Sequence, residues 1–340
     1  MFFSGTKNYT GLRRETQPGD KRIQTRDASN RDLAARPPRS KEEYFLTIQE
    51  LYLKCRRELK AAGVDSPEFD AAALVFHCFG LDRTALAVRG GQEAAPEQER
   101  CFLRAAGERA EHRPLQYILG EWEFMGLSLK VGEGVLVPRE DTETLVRACA
   151  ERLSEQAAGV VPIGGVGPVG PTGLDLCAGS GAVALGLCSL LPGAEVTAWE
   201  LSGDALPYLR ENTARYPQYR IFIREGDILD EALPAGFPGG KLDFIVSNPP
   251  YIASGELPGL QREVRREPRM ALDGGADGLR FYRAIAQNWK PLLRPGGVLA
   301  VEIGETQAAD IFSLFERCGL QELRVHQDWA GLDRCVTGIA

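Results

Sequence analysis

A strand, a glycine-bearing loop, a helix and a second strand follow one another in the middle of the chain, and this order constrains the fold most. Residues 174–176 end a predicted strand, residues 177–181 form a tight loop, and residues 182–191 form an apolar helix. A second strand covers residues 195–199 and ends at Glu200. Such a βαβ unit has parallel strands and a crossover helix that covers the sheet. The sequence therefore predicts an α/β fold, with a Rossmann-like, mostly parallel sheet and helices on both faces.

Three further strands are predicted, over residues 220–224, 242–247 and 298–302. In open parallel sheets, ligands bind at the carboxyl ends of the strands, near the point where the strand order reverses. Polar side chains lie at four of the predicted strand ends, namely Asp175, Glu200, Asp227 and Asn248. Their convergence predicts a binding site at this edge of the sheet.

Asn248 begins the motif Asn-Pro-Pro-Tyr, directly after a predicted strand. Each proline fixes its own φ and restricts the residue before it, so the loop is stiff. A stiff loop can hold the Asn248 carboxamide and the neighbouring carbonyls in the directions needed to grip an amino group by its two N–H donors. On its own, the motif also fits a turn that ends a strand, since asparagine and proline are both common turn residues.

The strand-end residues offer a complementary set of groups to one small molecule. Gly179 and Gly181 let the backbone approach a ligand closely, although a Gly-x-Gly loop alone also fits dinucleotides. Glu200 can accept both hydroxyls of a ribose, Asp227 an adenine amino group and Asp175 an ammonium. A ligand with these groups and no pyrophosphate is S-adenosylmethionine. The predicted contacts to it are Asp175, Cys177, Ala178, Gly179, Ser180, Gly181, Glu200, Asp227, Ile228 and Asn248.

Charge is distributed unevenly along the 340 residues. The whole chain carries a net charge of −7 and has a pI near 5.3, which argues against a basic nucleic-acid binder. Residues 1–41 nevertheless carry +6, so the remainder carries −13. We interpret residues 1–41 as a disordered basic tail, which is more consistent with a dispensable extension than with an RNA or ribosome tether.

The eight cysteines and three histidines are scattered, and the sequence contains no Cys-x-x-Cys pair. This spacing predicts no metal site. Unpaired cysteines in a chain of this length are typical of a reducing cytosol. The N-terminus has no signal-peptide core, and no apolar run approaches the length of a membrane span, so we expect a cytoplasmic protein without membrane contact.

The chain is predicted to divide into four parts. A helix begins at Pro67 in the first folded part, because a cap residue followed by proline is a helix start signal. Strand-like runs over residues 115–120 and 124–131 predict a β-hairpin, a helix covers residues 142–153, and residues 156–173 form a flexible connection. The parts are a disordered tail (1–41), a helical bundle (42–113), a hairpin linker (114–137) and the cofactor-binding domain (138–340).

Five segments carry a family signature: residues 114–121 (Pro-Leu-Gln-Tyr-Ile-Leu-Gly-Glu), 137–139 (Val-Pro-Arg), 175–181, 248–251 and 267–278 (Glu-Pro-Arg-Met-Ala-Leu-Asp-Gly-Gly-Ala-Asp-Gly). On these segments the chain resembles, over about residues 42–338, the release factor glutamine methyltransferases, which are class I S-adenosylmethionine-dependent enzymes. Asn-Pro-Pro-Tyr is shared with methyltransferases of adenine or guanine amino groups, whereas residues 114–121 and 267–278 are specific to the glutamine enzymes. The resemblance implies a class I methyltransferase sheet and a helical N-terminal domain that helps bind the release factor. The implied substrate is the glutamine amide in the Gly-Gly-Gln loop of class I peptide chain release factors.

The chain departs from the family pattern in the glycine loop and at the end of the second predicted strand. The family usually has Gly-Thr-Gly where this chain has Cys177-Ala178-Gly179, so we expect the backbone at Cys177 to avoid conformations that only glycine adopts readily. Glu200 replaces the commoner aspartate, and we expect its longer side chain to shift the ribose contact. The basic tail has no counterpart in the family pattern, and the resemblance implies nothing about it.

The predicted catalytic residues are Asn248, Pro249 and Tyr251, and Pro250 joins them in binding the substrate. The Asn248 side-chain oxygen and the Pro249 carbonyl would each accept one N–H of the substrate amide, while Tyr251 would pack on the glutamine or hydrogen-bond to it. A dedicated base is not needed, because the nitrogen becomes acidic once it is methylated. Two alternatives stay open: an amino-methyltransferase acting on adenine or guanine in nucleic acid, and a non-catalytic binding module with the same fold.

Overall fold

The computed structural model describes residues 46–157, 170–235 and 242–340. The predicted disordered tail, residues 1–41, lies outside the described residues, as does most of the predicted connection over residues 156–173. The described residues belong to one compact unit, which holds the helical bundle, the hairpin and the sheet.

Among the described residues, the N-terminal bundle consists of four helices: α1 (Ile48–Ala62), α2 (Pro67–Phe79), α3 (Arg83–Arg89) and α4 (Pro96–Ala110). Thr47 caps α1 through reciprocal hydrogen bonds with Glu50, and Pro67 starts α2 as the sequence predicts. Leu51, Leu74 and Phe102 meet in a core from which solvent is excluded. Within the described part of the chain, no single helix has the length and apolar composition of a membrane span. Helices α2 and α3 meet these two criteria only when they are taken together, and the pair is bent by 72°.

Residues 115–120 are helical where the sequence predicts a strand-like run. Helix α5 (Leu115–Leu119) begins after Pro114 and ends at Gly120, whose φ is +75°. A proline before the helix and a left-handed glycine after it are boundary signals, and Tyr117 faces the protein interior. These signals outweigh the strand-like composition, so this part of the prediction is wrong.

The predicted hairpin is present but begins at Glu121 rather than near residue 114. Strand β1 (Glu121–Phe124) pairs antiparallel with β2 (Leu127–Lys130). The two turn residues, Met125 and Gly126, both have positive φ, as a two-residue type I′ turn requires.

The rest of the described chain alternates strands with helices: α6 (Thr142–Ala157), β3 (Thr172–Leu176), α7 (Ala182–Leu190), β4 (Glu195–Glu200), α8 (Leu206–Arg215), β5 (Arg220–Glu225), α9 (Ala232–Ala235), β6 (Leu242–Ser247), α10 (Arg280–Ala284), β7 (Leu293–Glu302), α11 (Ala308–Arg317), β8 (Gln321–Gln327) and β9 (Asp333–Ile339). In this part of the chain one sheet has the order β5-β4-β3-β6-β7-β9-β8. The strands from β5 to β7 in that order are parallel, which confirms the predicted fold class.

No strand is predicted beyond Glu302, yet β9 inserts antiparallel between β7 and β8. Strand β8 lies at the edge of the sheet and is mostly exposed, so it lacks the clear apolar alternation that marks a half-buried strand. The predicted fifth strand, residues 298–302, also starts earlier than expected, because β7 begins at Leu293.

Helices cover both faces of the sheet, as the alternation along β6 shows. Phe244 and Val246 face the core under α6 and α7, whereas Ile245 faces the core under α10 and α11. Strand β3 lies between β4 and β6, so the strand order reverses there. The Ser247 hydroxyl donates to the Leu176 carbonyl at 2.6 Å and fastens these two strand ends together. The reversal point is the edge at which the sequence predicts a ligand.

Arg109 links the bundle to the sheet domain from the end of α4. Its Nε donates to the buried carboxylate of Asp70 at 2.6 Å, and its Nη2 donates to Glu263 Oε1 at 2.9 Å. His112 Nδ1 lies 3.1 Å from the same Glu263 oxygen. Because Glu263 belongs to the loop that follows the Asn-Pro-Pro-Tyr motif, the bundle and this loop hold each other in place.

Candidate active site

The loop after β3 contains a strained residue at its first position. Cys177 has a φ of +64°, in the left-handed region, although it is not glycine. The prediction that the backbone avoids this region is therefore wrong. Cys177 adopts the left-handed conformation even though its β-carbon makes this conformation about 1–2 kcal/mol less stable. Gly179 and Gly181 follow with φ of +55° and +84°. The alternation of left-handed residues turns the chain tightly from β3 into α7.

Asp175 lies within β3, beneath this loop, and is 0% exposed. Its Oδ2 accepts a hydrogen bond from the Ala184 N–H in α7 at 3.0 Å, while Oδ1 has no hydrogen-bond partner among the described residues. Burial raises the pKa of the Asp175 carboxyl to about 8. A buried acceptor without a partner is costly, and an N–H donor on a ligand would satisfy it. Asp175 Oδ1 can therefore accept a hydrogen bond from the ligand ammonium group that the sequence analysis assigns to this residue.

Glu200, at the end of β4, lies against the glycine loop. Its Oε2 accepts the Gly179 N–H at 2.7 Å, and its Oε1 accepts the Ser202 N–H at 2.7 Å. An ionised carboxylate offers about four acceptor positions, so both oxygens can also accept ribose hydroxyls. The structure thus brings the loop and the residue assigned to the ribose into direct contact.

Asp227 and Ile228 follow β5 at the same edge of the sheet. A carboxylate oxygen of Asp227 accepts the backbone N–H two residues further on at 2.9 Å, which orients the side chain. The Ile228 carbonyl accepts the indole N–H of Trp289 at 2.8 Å. Ile228, Ala178 and Ser180 are buried residues.

Asn248 follows β6, and its side chain is anchored by its nitrogen. Nδ2 donates to the Thr142 hydroxyl, at the start of α6, over 3.3 Å. This bond directs the amide nitrogen into the protein and leaves Oδ1 as the acceptor for a ligand. Thr142 is not predicted as a site residue, and its only sequence signal is its position at the start of a predicted helix.

A buried carboxylate, Glu302, lies behind the Asn-Pro-Pro-Tyr loop at the end of β7. Its Oε1 accepts the Tyr251 hydroxyl at 3.3 Å, and its backbone carbonyl accepts the Tyr282 hydroxyl at 2.7 Å. Burial raises the pKa of the Glu302 carboxyl to about 7, while a hydrogen bond from Thr142 and the positive charge of Arg334 act against this increase. Glu302 therefore contacts Tyr251 directly and lies beside Thr142, the hydrogen-bond partner of Asn248.

Burial of Tyr251 beside Glu302 raises the pKa of the tyrosine hydroxyl well above its usual range. Tyr251 is therefore a neutral hydrogen-bond donor near pH 7, not a base. Glu302 was missed by sequence reasoning, although a charged residue at the end of a predicted buried strand is the type of signal that identified the other strand-end residues.

The Asn-Pro-Pro-Tyr loop is held from outside by residues 272–278. The Gly274 N–H donates to the Ile252 carbonyl at 2.8 Å. A β-carbon at Gly274 would lie 2.8 Å from the Pro250 carbonyl oxygen, and one at Gly278 would overlap the backbone of the same loop. The glycines of the segment that carries the resemblance therefore permit the close packing that fixes the loop.

Glu267 fastens another segment to this region. Its Oε2 accepts the Val137 N–H at 2.9 Å, and its Oε1 forms an ion pair with Arg139. Burial raises the pKa of the Glu267 carboxyl, and the guanidinium of Arg139 opposes this shift. Two segments that carry the resemblance, residues 137–139 and 267–278, are thus joined in space.

The comparisons with known families match both folded parts of the chain. The family described as PrmC N-terminal domain matches residues 50–120, which include the helical bundle. The family described as methyltransferase small domain matches residues 168–274, which include the glycine loop and the Asn-Pro-Pro-Tyr motif.

The chain is also similar to characterised proteins over most of its length. It is 40% identical to a release factor glutamine methyltransferase of Moorella thermoacetica over 292 residues, which are 85% of this chain and 97% of that protein. It is 38% identical to the protein of that name in Geobacter sulfurreducens over 293 residues, which are 86% and 96% of the two chains. A crystal structure of a release factor-specific protein-(glutamine-N5) methyltransferase from Alicyclobacillus acidocaldarius is 28% identical, with a TM-score of 0.35, and covers 62% of this chain and 97% of that one.

Proposed function

Because this chain belongs to the release factor glutamine methyltransferase family, we propose that the edge of the sheet around Asn248 is where a release-factor glutamine is methylated. The chain is an enzyme, a protein-glutamine N-methyltransferase that acts on the side-chain amide. We further propose that the donor is S-adenosylmethionine and that the acceptor is the glutamine of the Gly-Gly-Gln loop in class I release factors.

The donor would be held by the residues that follow β3, β4 and β5. Asp175 Oδ1 would accept its ammonium, Glu200 its ribose hydroxyls and Asp227 its adenine amino group, with the loop of residues 177–181 packed against it. When bound, this cofactor supplies a methyl group activated by a positively charged sulfur. The unpartnered oxygen of Asp175 is the observation that best supports this placement.

The acceptor would be held by the Asn-Pro-Pro-Tyr loop. An amide nitrogen is a poor nucleophile because its lone pair is delocalised, so the enzyme must align it and exclude water. Asn248 Oδ1 and the Pro249 carbonyl would each accept one N–H of the substrate amide, and Pro250 and Tyr251 would line the glutamine side chain. These acceptors favour the positive charge that develops on the nitrogen during attack.

Thr142 and Glu302 would set the direction of the Asn248 amide. If the amide rotated by 180°, its nitrogen would face the substrate N–H groups and the grip would be lost. The bond from Nδ2 to the Thr142 hydroxyl opposes that rotation, and the Glu302 carboxyl lies beside the same hydroxyl. We consider this anchored amide the single observation that carries the proposed acceptor site.

Proton removal does not require a histidine in this scheme. His112 contacts Glu263 and the Ala62 carbonyl, His326 contacts Thr337, and His77 is exposed on α2. The proton can leave after methyl transfer, when the nitrogen is strongly acidic.

The bundle would contribute to docking of the release factor. The ion pair between Arg109 and Glu263 connects α4 to the loop that follows the Asn-Pro-Pro-Tyr motif. A protein bound to the bundle would therefore lie next to a loop that leads directly to the acceptor site. Since release factors act in translation, we place the enzyme in the cytoplasm.

The experiment is methylation with an isotopically labelled donor, followed by mass spectrometry of the release-factor peptide that contains Gly-Gly-Gln. We expect one added methyl group on the glutamine amide and none on total RNA or DNA incubated in parallel. Label on nucleic acid instead of on the release factor would contradict the proposal and favour the nucleic-acid alternative.

A further inference from the structure

We propose that His77, Cys78 and Cys101 bind a zinc ion in the helical bundle, with a fourth position open to solvent. The ligand atoms of these residues all lie within 4.8 Å of one another. His77 and Cys78 are adjacent on α2, whereas Cys101 is on α4, so the helix packing and not the sequence spacing brings them together. A spacing argument along the chain, which predicts no metal site, cannot detect such a cluster.

The distance between the two sulfur atoms favours a shared cation over a disulfide bond. Cys78 Sγ and Cys101 Sγ are 3.1 Å apart. Zinc–sulfur bonds of about 2.3 Å at tetrahedral angles place two sulfurs about 3.8 Å apart. A disulfide requires about 2.0 Å. The distance between the two sulfur atoms therefore needs a smaller change to bind zinc than to form a disulfide bond. Both cysteines are free.

The donor set selects the class of cation. Thiolates and imidazole prefer zinc and other thiophilic metals, whereas magnesium and calcium prefer oxygen ligands. Two cysteines and one histidine also form a known ligand set for zinc that retains one position for water. The cluster therefore fits a zinc site that is not fully closed by protein ligands.

The surroundings leave room for that fourth ligand. His77 is exposed, and both cysteines are half-buried, so an ion can reach them from solvent. A cavity of about 280 Å³ adjoins the cluster and is lined in part by His77, Cys101, Arg104 and Glu108. An ion bound here would join α2 to α4.

The test uses the full chain, purified with a non-chelating phosphine reductant and titrated with Co²⁺ as a spectroscopic probe for zinc. We expect one Co²⁺ per chain, with sulfur-to-cobalt charge-transfer absorption and the intense visible bands of tetrahedral cobalt, and we expect Zn²⁺ to displace it. Zinc should also raise the melting temperature, because it binds the folded chain preferentially. Cys78→Ser and Cys101→Ser should each lower the Co²⁺ affinity by at least about 100-fold, in line with the loss of a metal ligand.

A matched control is Cys318→Ser, which removes another half-buried free cysteine and should leave Co²⁺ binding unchanged. His77→Ala removes an exposed side chain, so folding is preserved even if the cysteine variants are unstable, and it should weaken Co²⁺ binding by about tenfold or more. The proposal is overturned if the reduced chain shows no sulfur-to-cobalt absorption, or if that absorption survives unchanged in His77→Ala and Cys101→Ser. Full activity of all these variants on release factor would leave the proposed function intact.

Discussion

Replacement of Thr142 by valine tests whether the direction of the Asn248 amide matters for catalysis. Valine keeps the branched shape of threonine but removes the hydroxyl that accepts from Asn248 Nδ2 at 3.3 Å. Thr142 is buried, so water does not readily replace the lost acceptor. Leaving the partly buried Asn248 Nδ2 without this partner costs about 1–3 kcal/mol, and the amide can regain a partner by turning its nitrogen toward the substrate.

We therefore expect kcat/KM for methylation of a release factor to fall by roughly 5- to 150-fold, which is the same range expressed as a rate ratio. The assay follows transfer of labelled methyl groups to purified release factor under conditions where the donor saturates. The affinity for the donor should change little, because its proposed contacts with Asp175, Glu200 and Asp227 do not involve Thr142. Thr142→Ser keeps the hydroxyl and should remain within about threefold of the unmodified enzyme.

A double-mutant cycle makes the test specific. Asn248→Ala alone should cost about 2–4 kcal/mol of transition-state stabilisation, as the loss of one group of an oxyanion hole does. In that background Thr142→Val should add almost nothing, because the amide that it orients is absent. Additive losses, or a Thr142→Val enzyme as active as the unmodified one, would refute the assignment of Thr142 as the residue that positions Asn248.

Three further predictions concern other parts of the site. Cys177→Gly should be more stable to denaturant than Cys177→Ala by about 1 kcal/mol, because both variants lack the thiol and only alanine keeps a β-carbon at a φ of +64°; equal stabilities would show that the left-handed residue is unstrained. Gly274→Ala should lower kcat/KM by roughly 10-fold or more, since its β-carbon would displace the Pro250 carbonyl 2.8 Å away, whereas Gly255→Ala, which has open space around it, should not. The pKa of Glu302 is raised to about 7 in the folded state, so its contribution to stability is complete below the unfolded value of 4.5 and is lost as the pH rises through 7. Glu302→Gln should therefore flatten the decline of the melting temperature between pH 5 and pH 8, and an unchanged decline would contradict the role of burial.

The sequence is informative where a residue follows a strand. Glu200 ends β4, Asn248 directly follows β6 and Asp227 lies two residues after β5, because the direction of the predicted strands fixes the edge at which these residues emerge. The parallel strands of the sheet could be predicted for the same reason, whereas β8 and β9 were not predicted. Helix α5 could not, since a short apolar run between a proline and a glycine satisfies both helical and strand patterns.

Contacts between distant segments explain the rest of what sequence reasoning missed. Thr142 and Glu302 become part of the site only because α6 and β7 meet behind Asn248, and neither is near it in sequence. The positive φ at Cys177 is likewise imposed by the turn from β3 into α7, which overrides the preference of the residue itself. A residue can adopt a backbone conformation that it disfavours when the packing around it fixes that conformation.

The position of β9 also has a consequence for the order in which the protein is made. Strands β7 and β8 leave the ribosome before β9, yet β9 lies between them and pairs with both. Until residues 333–339 are synthesised, β7 has a partner only on its β6 side, and β8 has no partner in the described sheet. Glu302, at the end of β7, pairs with Cys335 of β9 and therefore lacks its final surroundings while the chain is nascent. The surroundings of Glu302, behind the Asn-Pro-Pro-Tyr loop, are thus completed only after residues 333–339 have been synthesised.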